Sequence, residues 1–167
     1  RNVHEQTDRQ FSQEFQLLSQ LKGPLSWTAG LFYWNAAGKY DPFTITASGI
    51  VQNPLFNRVV GNVEQKTESI APYAQATYEV LPRTRLTLGL RYTHEKRELD
   101  GTNVLLRPDG TQFGPTTLPA SEDVTAKETT WRIALDHEVT DDVLVYISQN
   151  RGFKSGGFSV QELTAPP

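Results

Sequence analysis

The chain contains no cysteine. That excludes a disulfide framework, a thiolate metal site and a cysteine nucleophile. Methionine is also missing, even at position 1, so the chain is expected to be an excised piece of something larger. No apolar run approaches the ~18 residues of a membrane helix, and no signal-peptide pattern follows Arg1. A strand-built membrane protein escapes that exclusion, because its spans are short and alternate. The net charge is only −3, which argues against a nucleic-acid partner. His4, His94 and His137 are scattered, with neither H-x-x-x-H nor H-E-x-x-H spacing, and no G-x-S-x-G elbow occurs. No enzymatic activity, metal site or cofactor is expected.

What is present is alternation. The 167 residues are 37% hydrophobic, enough for one domain, but the apolar residues are dispersed. In residues 85–93 (RLTLGLRYT), Leu86, Leu88, Leu90 and Tyr92 fall on one face, and Thr87, Gly89 and Arg91 on the other. That is the period of a β-strand. Residues 70–80 set Ala74, Ala76, Tyr78 and Val80 against Tyr73, Gln75, Thr77 and Glu79. Residues 11–20, 26–35 and 131–139 behave similarly, and 143–148 (VLVYIS) read as a β-run, with no competing helical period. The pattern predicts an all-β fold of about six strands.

The connections alternate in length. Short breaks fall at residues 21–25 (LKGPL), 81–84 (LPRT) and 140–142 (TDD), each with Gly, Pro or Asp turn chemistry. Long connections are expected over residues 36–66 and 101–126. In an antiparallel up-and-down meander, this places every short turn at one end and every long loop at the other. Membrane barrels of the outer membrane segregate their loops in this way. The apolar row would then face lipid, and the polar row a wet lumen. Trp27, Tyr78 and Tyr146 near the short turns, and Tyr33, Trp34, Tyr92 and Trp131 near the long loops, suggest two aromatic girdles. The row from Leu86 to Tyr92 spans only ~15 Å of membrane thickness once tilted, against an apolar band of ~25 Å. Either Thr84 and the girdle complete it, or a bulge shifts the parity near His94.

Three phrases carry a further likeness: residues 13–35 (QEFQLLSQLKGPLSWTAGLFYWN), 71–98 (APYAQATYEVLPRTRLTLGLRYTHEKRE) and 145–160 (VYISQNRGFKSGGFSV). In content and order they resemble barrel segments of TonB-dependent outer-membrane receptors. The resemblance covers most of the strand-bearing chain and lapses in the long loops. Full barrels of this type have about 22 strands. This chain shows no plug domain, no energy-coupling box and no terminal aromatic strand, so residues 1–167 are expected to be an internal portion of a transmembrane β-barrel. The resemblance implies an outer-membrane location and import of a scarce nutrient, with ferric siderophores ahead of cobalamin, haem or oligosaccharides. It implies as partners the outer-membrane lipid, a plug, the remaining strands and an inner-membrane energy-coupling protein. A soluble all-β binding or adhesion domain, or a small porin-like barrel, stands as the alternative.

Residues 152–157 (GFKSGG) do not form a Walker loop, since the lysine precedes the second glycine and no helix follows. They are expected to continue a barrel strand, where glycine permits coiling and close approach. Arg151 and Lys154 are expected to be wall charges. Asp136 and Glu138 share a strand face and are expected to be balanced by Arg132. Ligand contacts are expected at the long-loop end: Tyr40, Phe43 and Phe56 for planar or apolar cargo, and Lys154 for anionic groups.

Overall fold

The structure, a computed structural model, describes residues 3–19, 22–46, 55, 57–114 and 117–158. Its strands are β1 (Val3–Leu18), β2 (Leu25–Thr46), β3 (Arg58–Leu81), β4 (Thr84–Leu106), β5 (Thr117–Thr140) and β6 (Val143–Arg151). They form one sheet in the order β1-β2-β3-β4-β5-β6, and each adjacent pair is antiparallel. The six-stranded meander expected from the alternation is therefore the fold.

The short turns share one end. The Glu79 N–H donates to the Pro24 carbonyl at 2.9 Å, and the Glu138 N–H donates to the Arg83 carbonyl at 2.9 Å. The Arg83 guanidinium pairs with the Asp141 carboxylate, tying the second turn to the third. Pro82 suits the first corner of its turn, and Arg83 takes the left-handed second corner at φ 62°. That conformation costs a non-glycine residue roughly 1–2 kcal/mol. The bond from the Arg83 N–H to Glu79 Oε1, at 3.2 Å, helps to hold it there.

The other end corrects the sequence reading. Strands β2 to β5 run 22 to 24 residues, at least twice the ~9–11 needed to cross a bilayer. The expected loops over 36–66 and 101–126 shrink to the connections 47–57 and 107–116. Gly38, Gly61, Gly101 and Asp41-Pro42 read as loop chemistry in the sequence. The strands absorb them instead, with a register shift between Tyr40 and Phe43 that accommodates the proline.

The pairing fixes the faces. One row runs Leu17, Ala29, Ala74, Leu90, Trp131 across five strands, each residue directly opposite the next. One residue along, on the other face, the row is Gln16, Gly30, Tyr73, Arg91, Thr130. The apolar face is bare: Leu88 is 49% exposed, Leu90 57% and Ile133 47%. An exposed apolar surface of this extent is a membrane or partner surface. Side chains on the polar face reach over an intervening strand, Tyr73 to β1 and Arg91 to β2, so that face is the inner, converging one.

No parity shift occurs near His94. It lies opposite Ile70 and Lys127 on the outer face, where the apolar row gives way to Asn35, Glu68 and Lys96. On β3 the outer row from Ile70 to Val80 covers ten steps, about 33 Å along the strand and about 25 Å once tilted by ~40°. Trp27, Tyr78, Tyr33, Tyr92 and Trp131 keep girdle positions on this face. Trp34 and Tyr146 do not: Trp34 pairs with Ser12 and Ser69, and Tyr146 with Asp136, all on the inner parity.

The phrase 152–157 is also corrected. Strand β6 ends at Arg151, and residues 152–158 carry no regular structure. They turn onto the inner face, where Phe158 packs against a buried apolar cluster.

The facing makes a direct prediction. In the outer membrane, Leu88→Arg places a cation against lipid near mid-band at a cost of about 2–4 kcal/mol, whereas Thr87→Arg points into the lumen. Heat-modifiable gel mobility, which reports barrel assembly, is expected to fall for Leu88→Arg and to hold for Thr87→Arg.

Candidate functional site on the inner wall

The inner face is built in tiers. Nearest the short turns, Arg85 Nε donates to Asp136 Oδ2 at 2.7 Å, and its Nη2 lies 3.0 Å from Glu138 Oε1. The carboxylate pair is thus balanced by Arg85, not by Arg132 as the sequence suggested. Register decides this: Arg85 sits directly opposite Asp136, whereas Arg132 sits opposite Gly89.

The middle tier depends on a glycine. Tyr73 lies across Gly30, where an added Cβ would fall 2.5 Å from the phenol ring. Crossing there, the Tyr73 hydroxyl donates to Glu14 Oε1 at 2.6 Å and accepts from Gln16 Nε2 at 2.7 Å. The Arg91 guanidinium sits over the Phe32 ring, 5.4 Å from its centre. Thr77 and Thr87 hydroxyls meet at 2.9 Å. Strands β1 to β4 are thereby cross-linked by side chains as well as by backbone. Higher up, Arg97 pairs with Glu95 at 2.7 Å, and Arg151, opposite Trp131 at the end of β6, reaches Glu128 at 3.1 Å.

At the long-connection end the inner wall turns apolar. Phe43, Val59, Val63 and Leu99 form a buried cluster, with Tyr40, Ile45, Leu105 and Phe158 packed against it. The register shift after Tyr40 is what keeps both Tyr40 and Phe43 on the inner parity, opposite Val63 and Gly61. Of the four residues expected to touch ligand, the structure brings these two together, on a strand rather than in a loop. Phe43 is only 8% exposed. Lys154 is exposed and lies on the segment that carries Phe158. Phe56 lies outside the described residues. Val59 and Val63 escaped the sequence reading because their stretch was assigned to a loop, and Leu99 because it lies in the charge run of residues 94–100. The signal that could have found them is the alternation of residues 59, 61 and 63 continuing past the apolar band.

The outer face above the band carries ion pairs between neighbours along a strand. Lys39 meets Asp41 at 2.7 Å and Lys96 meets Glu98 at 2.5 Å. Hydrogen bonds to these carboxylates hold both lysines above the usual lysine range. Among the described residues, no group of three His, Cys, Asp or Glu side chains could hold a metal ion.

A sheet with an apolar outer face at bilayer height, a polar inner face and segregated connections is a wall segment of an outer-membrane β-barrel. Residues 1–166 match the TonB-dependent receptor-like β-barrel family, and the chain belongs to it. It is thus part of an outer-membrane β-barrel of that family. Among solved structures, it is similar to the ferric yersiniabactin uptake receptor FyuA from Yersinia pestis, with a TM-score of 0.70 at 18% identity. That match covers 88% of this chain and 21% of the receptor, so the chain spans about a fifth of the receptor's length. At this identity, the likeness concerns the fold.

The middle tier yields a double-mutant test. Gly30→Val drives a side chain into the Tyr73 ring, and overpacking of this kind costs about 1–3 kcal/mol. Tyr73→Ala alone removes the cross-strand bridge. In the double variant the clash with the ring is gone and only the 2.8 Å approach to the Phe15 carbonyl remains, so the two losses measured by urea unfolding of the assembled barrel are expected to be less than additive.

Proposed function

We propose that this chain forms part of the wall and outer vestibule of an energy-coupled receptor that imports a scarce nutrient, with a ferric siderophore as the first candidate. The observation that carries the reading is the change in inner-wall chemistry along the sheet. Paired charges line the short-turn end, and an aromatic and aliphatic cluster lines the long-connection end. A receptor that captures solute outside and passes it inward needs its recognition surface at the outer end. The fold shared with a ferric yersiniabactin receptor favours a ferric chelate as cargo, and the aromatic character of Tyr40, Phe43 and Phe56 suits planar ligand groups. Lys154 supplies a cation for anionic ones. Residues 1–167 are read as one portion of a barrel. Strands β1 and β6 leave two open edges, which the remaining strands would close. A plug within that barrel, driven by an inner-membrane energy-coupling protein, would gate passage.

The test removes residues 47–56 from the native receptor that carries this chain, leaving the paired strands intact. Surface connections tolerate shortening, so the barrel is expected to assemble while binding of a labelled ferric chelate weakens. Tyr40→Ala is expected to weaken binding in the same direction. Arg83→Ala, at the opposite end, is expected to leave affinity unchanged. Unchanged affinity in both the deletion and Tyr40→Ala would remove this end from the site.

A further inference from the structure

We infer that residues 152–158 are a releasable strap, closed in this structure over the apolar cluster at the outer end of the inner wall, and that aromatic or apolar groups of a bound ligand take the place of Phe158 there. The inference deepens the proposed function and rests on it for the location of the ligand. Its basis is the path of the segment. Strand β6 ends at Arg151, opposite Trp131 of β5. A Cβ added at Gly156 would lie 3.9 Å from Val124 Cγ1, and one at Gly157 would lie 3.6 Å from Arg97 Nη1. Val124 and Arg97 are direct partners across β5 and β4, on the inner face. Phe158 then packs against the cluster of Phe43 on β2, Val59 and Val63 on β3, and Leu99 on β4. Consecutive residues step from strand to strand, so the segment crosses the wall instead of following it.

The hold on this segment is slight. Among the described residues, no backbone hydrogen bond joins 152–158 to the sheet. At its point of departure, Gly152 has nothing within 4 Å of where a Cβ would stand. At Gly156 and Gly157 an added Cβ meets only ordinary van der Waals contact, so the strap rests on the wall without being wedged into it. Phe158 itself is half-buried. A segment with few buried apolar contacts and no backbone bonds opens at low free energy, while the paired strands beneath it stay in place. What it covers is the surface that carries Tyr40 and Phe43. Phe158 lays a ring against aliphatic side chains, as an aromatic ligand group would, so the two compete for one place. With the strap closed, apparent affinity is reduced by the fraction of molecules in which it is open.

A disulfide between Val124→Cys and Gly156→Cys, formed with diamide in the native receptor, locks the strap to β5; this chain has no cysteine of its own to compete. The probe is iron(III) tris-catecholate, an anionic complex of flat rings, titrated in detergent. The reduced pair is expected to bind as wild type does. The oxidised pair is expected to bind about tenfold or more weaker, and reductant to restore the affinity. Phe158→Ala removes the competitor and is expected to bind several-fold tighter than wild type. Equal binding by the oxidised and reduced pairs, or weaker binding by Phe158→Ala, would overturn the strap and make Phe158 a fixed part of the wall. A second readout needs no ligand. A spin label at Ser155→Cys is expected to be restrained when Phe158 is present and mobile when Phe158→Ala is added; equal mobility would overturn the strap as well. If the probe binds no form of the receptor, the ferric-chelate reading fails, and the label still decides whether Phe158 holds the strap closed.

Discussion

Everything in this structure depends on the pairing of strands where water is absent. A backbone N–H or C=O in the hydrocarbon layer has no solvent partner, and each unsatisfied group costs several kcal/mol. Every strand must therefore be bonded along its length to a neighbour on either side. Once the pairing is fixed, alternation does the rest: one residue of slip would send the Leu86, Leu88, Leu90 row into the lumen and Arg91 into lipid. Register, facing and tier structure are consequences of that single constraint. Among the described residues β1 and β6 are each bonded along one edge only, so the same constraint asks for a neighbour at the other edge.

The inner wall shows what the pairing permits. Gly30 lets Tyr73 span from β3 to β1, so side chains reinforce a lattice that backbone bonds define. The opposed charges at Arg85, Asp136 and Glu138 satisfy one another within the short-turn tier. Above the bilayer, the strands keep pairing although lipid no longer forces them to. There the cluster of Phe43, Val59, Val63 and Leu99 supplies apolar burial on the inner side, while lysine and carboxylate pairs solvate the outer side. The wall thus changes its means of stabilisation with height while retaining one register.

Much of this was legible from the sequence. Six strands, their order, the shared end of the short turns and the lipid row all follow from period-two alternation and turn chemistry, which are local signals. What was not legible is what depends on a second strand. Asp136 finds Arg85 rather than Arg132 because of register between β4 and β5, which no local pattern records. Residues 36–46 and 58–66 looked like loop because Gly38, Asp41-Pro42 and Gly61 are turn residues by habit; a register shift and a paired neighbour made them strand. Trp34 and Tyr146 were placed in the girdles by their distance from strand ends, when parity puts them on the inner face. The glycine-rich phrase after Arg151 was read as strand, although it leaves the sheet.

The absence of cysteine makes the central claim directly measurable, since single cysteines can be introduced without a background. Spin labels placed one at a time at residues 85 to 91 in the membrane-embedded receptor report collisions with oxygen, which partitions into lipid, and with a water-soluble nickel complex. Labels at 86, 88 and 90 are expected to favour oxygen, and labels at 85, 87, 89 and 91 the nickel complex. An inverted alternation, or equal accessibility along the whole stretch, would contradict the assignment of this sheet as a membrane wall with its leucine row in lipid.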